Sequence, residues 1–442
     1  MRCSLLLLLV CEALALQQSN VRCKGFSERM ALKRVAGAAL CSLALMNPMS
    51  PLMEQPAYAA RPQNAASSAG SRVNKDAESL LRNGLPIPES AGESAARKLQ
   101  YAIEAIKDDL RAKRISAASG DVSTAKRLVA SSKEALLKAA PTSERKAEIA
   151  ERLDLIKEEL EPIGAALSTL GGNGSPQERE ALDLAGERQA KAAKYITEIE
   201  NRLVPVNYKP NIEVADEFPD VPPLIGRARV QFTLKKGPDA VAEGHSKFDI
   251  DGELFDRAVV EVVVDGYTTP LTSGNFLDLV KRKFYDGMAI QRSDGFVIQT
   301  GDPDGEEGPL VGFSPDNGKT VRRVPLEVSL ASDKKNPIYG QTTEDIGKGA
   351  QAVTLPFQAY GALGMARDEY TADSASSQFF FLLFDSDLTP AGKNFLDGRY
   401  SSFGYTVKGD TFLNDLQVGD VIEKVTILKA PPPFGTYDGL DV

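Results

Sequence analysis

Between Val204 and Leu224 the chain carries five prolines, Pro205, Pro210, Pro219, Pro222 and Pro223, and the hydrophobic period differs on the two sides of them. Proline lacks an amide proton and has a fixed φ, so such a stretch suits neither a helix interior nor a central strand. Residues 205–224 therefore read as a stiff, extended linker, and the domain boundary falls there. A length of 442 residues accommodates two globular units plus extensions.

Before the linker the period is helical. Ser90-x-x-Glu93 is a capping box, followed at helical spacing by Leu99, Ile103, Ile106 and Leu110. A second helix is expected from Asp121 to Ala139, with Ala125, Leu128, Ser132 and Leu136 on one side and Pro141 ending it. The third carries Ile149, Leu153, Ile156, Leu160, Ile163, Leu167 and Leu170, with Pro162 expected to kink or split it. After the turn Gly171-Gly172-Asn173-Gly174, Ser175-Pro176-Gln177-Glu178 opens a fourth helix through Leu182, Ala185, Gln189, Ala192, Ile196, Ile199 and Leu203. Four amphipathic helices with short connections predict an up-down bundle over 91–204. Residues 61–90, rich in Ala, Ser, Asn, Gly and Pro, read as a flexible segment.

After the linker short strands take over: Arg229–Leu234, the β-branched run Ala258–Val264, Met288–Arg292, Phe296–Gln299, Gly361–Ala366, Ser377–Phe384 and Val421–Leu428. Pro270–Phe284 reads as a helix with Phe276, Leu279 and Val280 apolar. Short strands with few helices predict a closed β-barrel over 225–442.

The reactive residues are as informative by their placement. All four cysteines (Cys3, Cys11, Cys23 and Cys41) lie in the first 41 residues, and His245, in a polar loop, is the sole histidine. Once a leader is removed, chemistry must proceed without cysteine, and neither a zinc site nor a Ser-His triad can be assembled. No metal and no cofactor is expected. A formal charge of −9 argues against nucleic acid as a partner, and no apolar run approaches the length of a membrane span.

Residues 1–60 read as three targeting signals in series. Leu5–Leu16 behind Arg2 is a short apolar run ending in Ala13-Leu14-Ala15, the layout of a secretory signal. Ser19–Arg34 is basic, with Arg22, Lys24, Arg29, Lys33 and Arg34 against Glu28, the composition of a transit peptide. Val35–Met46 is a second apolar run, followed by the cleavage pattern Ala57-Tyr58-Ala59. The arrangement resembles the presequence of thylakoid-lumen proteins in algae whose plastid has extra membranes.

The second half carries a recognisable set of blocks. Phe284-Tyr285-Asp286-Gly287 leads to Gln291-Arg292, then Gly295-Phe296-Val297-Ile298-Gln299-Thr300-Gly301-Asp302. Gly364-Met365-Ala366, Ser377-Gln378-Phe379-Phe380 and Phe395-Leu396-Asp397-Gly398-Arg399-Tyr400 follow in order. Together they resemble the cyclophilin signature over residues 225–442. The fold class expected is thus multidomain, an N-terminal all-α helical bundle plus a C-terminal closed β-barrel of cyclophilin type.

That resemblance implies cis–trans isomerisation of X-Pro bonds in proline-containing polypeptides. It implies Arg292 as the donor to the prolyl nitrogen and an apolar pocket of Phe296, Val297, Phe380 and Leu396. Gln299 would orient the arginine or the substrate carbonyl, and Gln378 would line the rim. Ala366, Arg367, Phe395, Tyr400 and Gln291 complete the expected substrate-binding set. Four positions depart from the family: its histidine before the arginine is Gln291, its asparagine after Met-Ala is Arg367, its tryptophan is Phe395 and its later histidine is Tyr400. These replacements predict reduced or narrowed turnover, or a groove kept for binding as an assembly chaperone. Relative to a minimal family member, Lys235–Gly252 and Gly305–Gln358 look inserted. Bundle, linker, divergent barrel and leader together are similar to the multidomain thylakoid-lumen cyclophilins. That group implies a role in photosystem II assembly, with photosystem II subunits or a thylakoid phosphatase as partners.

Overall fold

The computed structural model describes residues 74–170, 175–303, 312–316, 320–384 and 394–437. The three-signal leader and the glycine turn at 171–174 lie outside the described residues.

The helical half contains α1 (Ala77–Gly84), α2 (Ala91–Arg111), α3 (Ile115–Ala139), α4 (Ser143–Ser168) and α5 (Pro176–Leu203). Ser90 caps α2 by accepting from the Glu93 amide at 3.0 Å. Ser175 caps α5 through Glu178 at 3.2 Å, and Thr142 caps α4 through Arg145 at 3.2 Å. Each supplies an acceptor to an otherwise orphaned first-turn amide. Helix α2 packs on α3 and α5, and α4 packs on the same two, so the four close around one core. Leu99, Ile103, Ile106, Ile149, Leu153, Ile156, Leu160, Ile196 and Ile199 are fully buried there. Burying each such side chain contributes about 1.5–3 kcal/mol relative to exposure.

Three expectations for this half are revised. Helix α3 begins at Ile115, six residues before Asp121, and Val122 and Ala118 extend its buried stripe. Pro162 lies inside α4 without splitting it. The carbonyl it strips of a partner belongs to Glu158, an exposed residue, so water can take the bond. Finally, the segment read as flexible contains α1, whose Leu80 and Leu81, with Leu85 just beyond, are buried.

The proline-rich stretch is packed rather than free. Val221 and Leu224 join the core of the second half, with Ile212, Val214 and Phe218 against it. The Leu224 amide donates to Pro270 O at 3.0 Å, and the Asn211 amide to Lys335 O at 2.7 Å.

The second half is built on one eight-stranded antiparallel sheet in the order β12-β1-β4-β11-β9-β10-β6-β5. Its strands are β1 (Arg227–Lys235), β4 (Ala258–Asp265), β5 (Arg292–Ser293), β6 (Val297–Thr300), β9 (Ala362–Met365), β10 (Phe379–Leu382), β11 (Ser402–Lys408) and β12 (Val421–Lys429). The sheet is curled. Residues just before β5 reach its opposite edge, where the Ile422 amide donates to Met288 O at 2.8 Å and the Ile290 amide to Asp420 O at 2.7 Å. Inside the curl sit Phe232, Phe276, Tyr285, Phe379, Phe381 and Phe403, with Phe276 contributed by α7 (Pro270–Lys281). Between β1 and β4 lies the short helix α6 (Pro238–Ala242).

The first stretch read as an insertion ends in the turn of a hairpin, and the second holds one. One is β2 (Phe248–Ile250) with β3 (Glu253–Phe255); the other is β7 (Glu327–Leu330) with β8 (Asp333–Tyr339).

Candidate active site

Strands β5, β6, β10 and β9 lie side by side, and their register aligns one row of residues. Arg292 pairs with Gln299, Gln299 with Phe380, and Phe380 with Gly364. Directly paired residues project to the same side of a sheet. Their chain neighbours Ile298, Phe379 and Phe381 belong to the interior core, so the row faces outward. Gly364 is required here by close approach, since a Cβ would come within 2.2 Å of the Phe380 ring.

Phe380 is buried under two further rings. Phe357 stacks on it at 5.8 Å with a 20° interplanar angle, and Tyr400 meets it edge-on at 5.9 Å. Val297 and Leu396 are also buried, whereas Phe296 is half-buried. Phe296 extends the apolar surface outward, with Phe384 at 4.7 Å and Phe395 at 5.7 Å. Phe395 remains 46% exposed, an aromatic edge facing solvent.

The β5–β6 turn sets the direction of Phe296. Gly295 adopts φ +77°, which a two-residue hairpin needs at its first central position. Asp294 closes the turn, its Oδ1 accepting from the Phe296 amide at 2.9 Å and the Val297 amide at 3.0 Å. Its Oδ2 takes the Arg292 guanidinium, Nε at 2.6 Å and Nη2 at 2.5 Å. Burial opposes ionisation of Asp294, but the two amides and the guanidinium prevail and hold its carboxyl below the usual range.

Arginine 292 is therefore held by Asp294 and not by Gln299. The Gln299 side-chain amide donates to Gln378 Oε1 at 2.8 Å instead. Gln291 donates through Nε2 to Asp302 O at 2.9 Å, while its buried Oε1 has no protein partner among the described residues. Arg367 folds back over the Tyr400 ring at 5.1 Å and donates to Arg399 O at 2.8 Å and Asp368 O at 2.7 Å. Burial pushes the Tyr400 hydroxyl above its ordinary pKa, against the pull of Arg367. Ala366 is fixed by its amide donating to Gln378 O at 2.9 Å.

The predicted residues other than Gln291, whose side chain turns to Asp302, thus lie along one outward face of the sheet and its flanking turns. Sequence reasoning passed over three of their neighbours: Asp294, Phe384 and Phe357. Asp294-Gly295 signals a turn, which hides a carboxylate partner. Phe384 ends a strand run that was recognised, and nothing local marks Phe357.

The family model for cyclophilin type peptidyl-prolyl cis-trans isomerases matches residues 251–431. A second, described as the PsbQ-like domain of CYP38-like peptidyl-prolyl cis-trans isomerases, matches residues 76–204. The chloroplast peptidyl-prolyl cis-trans isomerase CYP38 of Arabidopsis thaliana is 35% identical over 427 residues, spanning 93% of this chain and 89% of that protein. A putative thylakoid lumen peptidyl-prolyl cis-trans isomerase of Synechocystis is 36% identical over 356 residues, spanning 80% and 82%. The chloroplast isomerase CYP37 of Arabidopsis thaliana is 32% identical over 216 residues, 48% of this chain and 42% of that protein. With a site face built on the signature blocks and two relatives matched over more than four fifths of their length, this chain belongs to the cyclophilin-type peptidyl-prolyl cis-trans isomerases, in the form that carries a PsbQ-like helical domain before the isomerase domain.

Proposed function

We propose that the chain isomerises X-Pro bonds of polypeptides in the thylakoid lumen, with Arg292 as its catalytic residue. The observation that carries this is the row Arg292–Gln299–Phe380 on one face, a cation beside an apolar, aromatic-walled surface. An unaided peptide bond resists rotation by about 18–20 kcal/mol because its nitrogen lone pair is delocalised into the carbonyl. As the amide twists, that lone pair localises on nitrogen and can accept a hydrogen bond. A guanidinium beside the nitrogen then stabilises the twisted state more than the planar one, which is what catalysis requires. The proline ring would rest on Phe380, Val297, Leu396 and Phe296, with Gln299 and Gln378 on the rim and Phe395, Tyr400, Arg367, Ala366 and Gln291 bounding the groove. No bond breaks, so no nucleophile is required.

The hydrogen bonds joining residues 287–290 to β12 support reading the curled sheet as a closed barrel. The chain is a plastid protein of the thylakoid lumen, as its chloroplast and thylakoid-lumen relatives are named. Photosystem II subunits as clients and a thylakoid phosphatase as partner follow from the resemblance to lumenal multidomain cyclophilins. Delivery through a plastid with extra membranes follows from the leader.

The test is protease-coupled isomerisation of an X-Pro peptide by the chain from residue 61. Arg292→Ala is expected to lose about 10²-fold or more in kcat/KM, the scale of removing one preorganised donor. Activity equal in both proteins would end the catalytic assignment. A second reading, a groove kept for binding only, is favoured by Arg367 lying over Tyr400. It predicts proline-peptide binding without turnover.

A further inference from the structure

We propose that Asp294 is a carboxylate brake on Arg292, a positioning residue that holds the guanidinium through its Nε donor and a close ion pair and so limits turnover. This rests on the reading of Arg292 as the donor to the prolyl nitrogen.

The geometry has three parts. Arg292 and Asp294 are two residues apart at the start of a tight turn; Nε donates to Oδ2 at 2.6 Å, and Nη2 forms an ion-pair contact with the same oxygen at 2.5 Å. The other oxygen, Oδ1, accepts two backbone amides of that turn. The carboxylate is thus held by the backbone as well as by the arginine, and cannot swing aside without undoing the turn. Finally, Gln299, the neutral group opposite Arg292 in the ladder, is engaged with Gln378 and does not compete.

The chemical consequence follows from what Arg292 has to do. A prolyl nitrogen, even with its lone pair localised, is a far weaker acceptor than a carboxylate. Donors committed to Oδ2 do not transfer to it spontaneously. The substrate must either use the terminal Nη donors left beside the carboxylate or break the pair. The negative charge beside the guanidinium also cancels part of the positive field that favours the twisted amide. Both effects act on the twisted state and barely on the ground state, so they depress kcat rather than raise KM.

Asp294→Asn separates charge from turn geometry. The amide oxygen still accepts from Phe296 and Val297, while the formal charge is gone. In the chain from residue 61, Asp294→Asn is expected to raise kcat about two- to fivefold with KM nearly constant, the scale of a partly screened ion pair. Added salt is expected to raise the wild-type kcat and leave that of Asp294→Asn flat. Asp294→Ser, which keeps a short acceptor for the turn, should show the same gain if the asparagine variant folds poorly. The gain must vanish in Asp294→Asn/Arg292→Ala.

If Arg292→Ala loses activity while Asp294→Asn and Asp294→Ser fold yet match or fall below wild type, Asp294 is no brake. A gain that survives in the double variant likewise overturns the proposal, because it does not act through Arg292. Full activity in Arg292→Ala alone would remove the catalytic reading itself, a separate and recognisable failure.

Discussion

Gly364 shows how narrowly the site face is built. It lies opposite Phe380 in the ladder, and the ring occupies the space a Cβ would need. Gly364→Ala should push the ring tip away from Phe357 and Tyr400, costing about 1–3 kcal/mol as an overpacked contact. We expect KM for an X-Pro peptide to rise several-fold, with kcat less affected because Arg292 stands three strands away. An unchanged KM would show that Phe380 does not seat the proline. At this scale the sequence is most legible where spacing carries the meaning: Arg292 and Gln299 pair across β5 and β6, with Phe296 in the turn between them. It is least legible where a partner comes from the other side of the chain. Asp294 reads locally as a turn residue, and only the folded hairpin shows it holding Arg292.

Among the elements, the β7–β8 hairpin was least visible in advance. Its second strand contains Pro337 and four polar or charged residues in seven, a pattern normally read as loop. Proline is tolerated there because β8 is an edge strand of a two-stranded sheet. Yet the hairpin supplies Glu327, whose carboxylate accepts from the Leu271 amide at 3.0 Å and the Thr272 amide at 2.6 Å. Helix α7 is thereby capped by a residue more than fifty positions away, since Thr269 makes no side-chain cap of its own. Glu327→Ala should leave two buried amides unpaired and cost about 2–4 kcal/mol. Burial pushes the Glu327 carboxyl up to about 7, against the pull of Thr272, Leu271 and Tyr339. A folded-state pKa above the unfolded value means that the folded chain binds more protons in between. The stability gained by protonation is fully present below about pH 4.5 and lost as pH rises through about 7. Glu200, buried between α2 and α5, is raised in the same sense, so the two must be separated. Glu327→Gln should therefore flatten, without abolishing, the fall in denaturant midpoint between pH 5 and pH 8. An identical slope in wild type and variant would assign the whole effect elsewhere.

Across the whole molecule, the two halves meet at α1, the element whose stability is least local. Eight residues are too few to hold a helix in water, so the sequence around Leu80 and Leu81 could not announce one. Tertiary contacts supply the difference from both sides. In the bundle, the buried Arg82 donates to Glu104 at 2.9 Å and to Thr197 at 2.9 Å. In the isomerase half, Arg227 donates to Leu81 O at 2.6 Å, and Lys334 of β8 donates to Asn83 O at 2.6 Å and Leu85 O at 3.0 Å. These two cations, with Arg97 donating to Arg82 O at 2.8 Å from the bundle, satisfy the orphaned acceptors of the carbonyl end and complement the helix dipole. The two cations differ in what else they hold. Arg227 also pairs with Asp265, which is completely buried, so Arg227→Ala should cost about 3–5 kcal/mol by stranding that carboxylate. That loss would unfold the isomerase half before it revealed anything about the contact between halves. Lys334 pairs with carbonyls alone, and burial, with Arg97 and Arg227 nearby, pushes its ammonium down to about 8. Lys334→Met keeps the aliphatic stem and removes only the donor. Hydrogen exchange should then speed up for amides at the end of α1 and just after it, Leu85 and Ile87 first, while the β1, β4 and α4 cores stay protected. Exchange unchanged at Leu85 and Ile87 would mean that the other contacts of α1, those of Arg82, Arg97 and Arg227 among them, hold it without Lys334. Faster exchange throughout the isomerase half would instead mean that α1 is part of that half's cooperative unit rather than a pin between two.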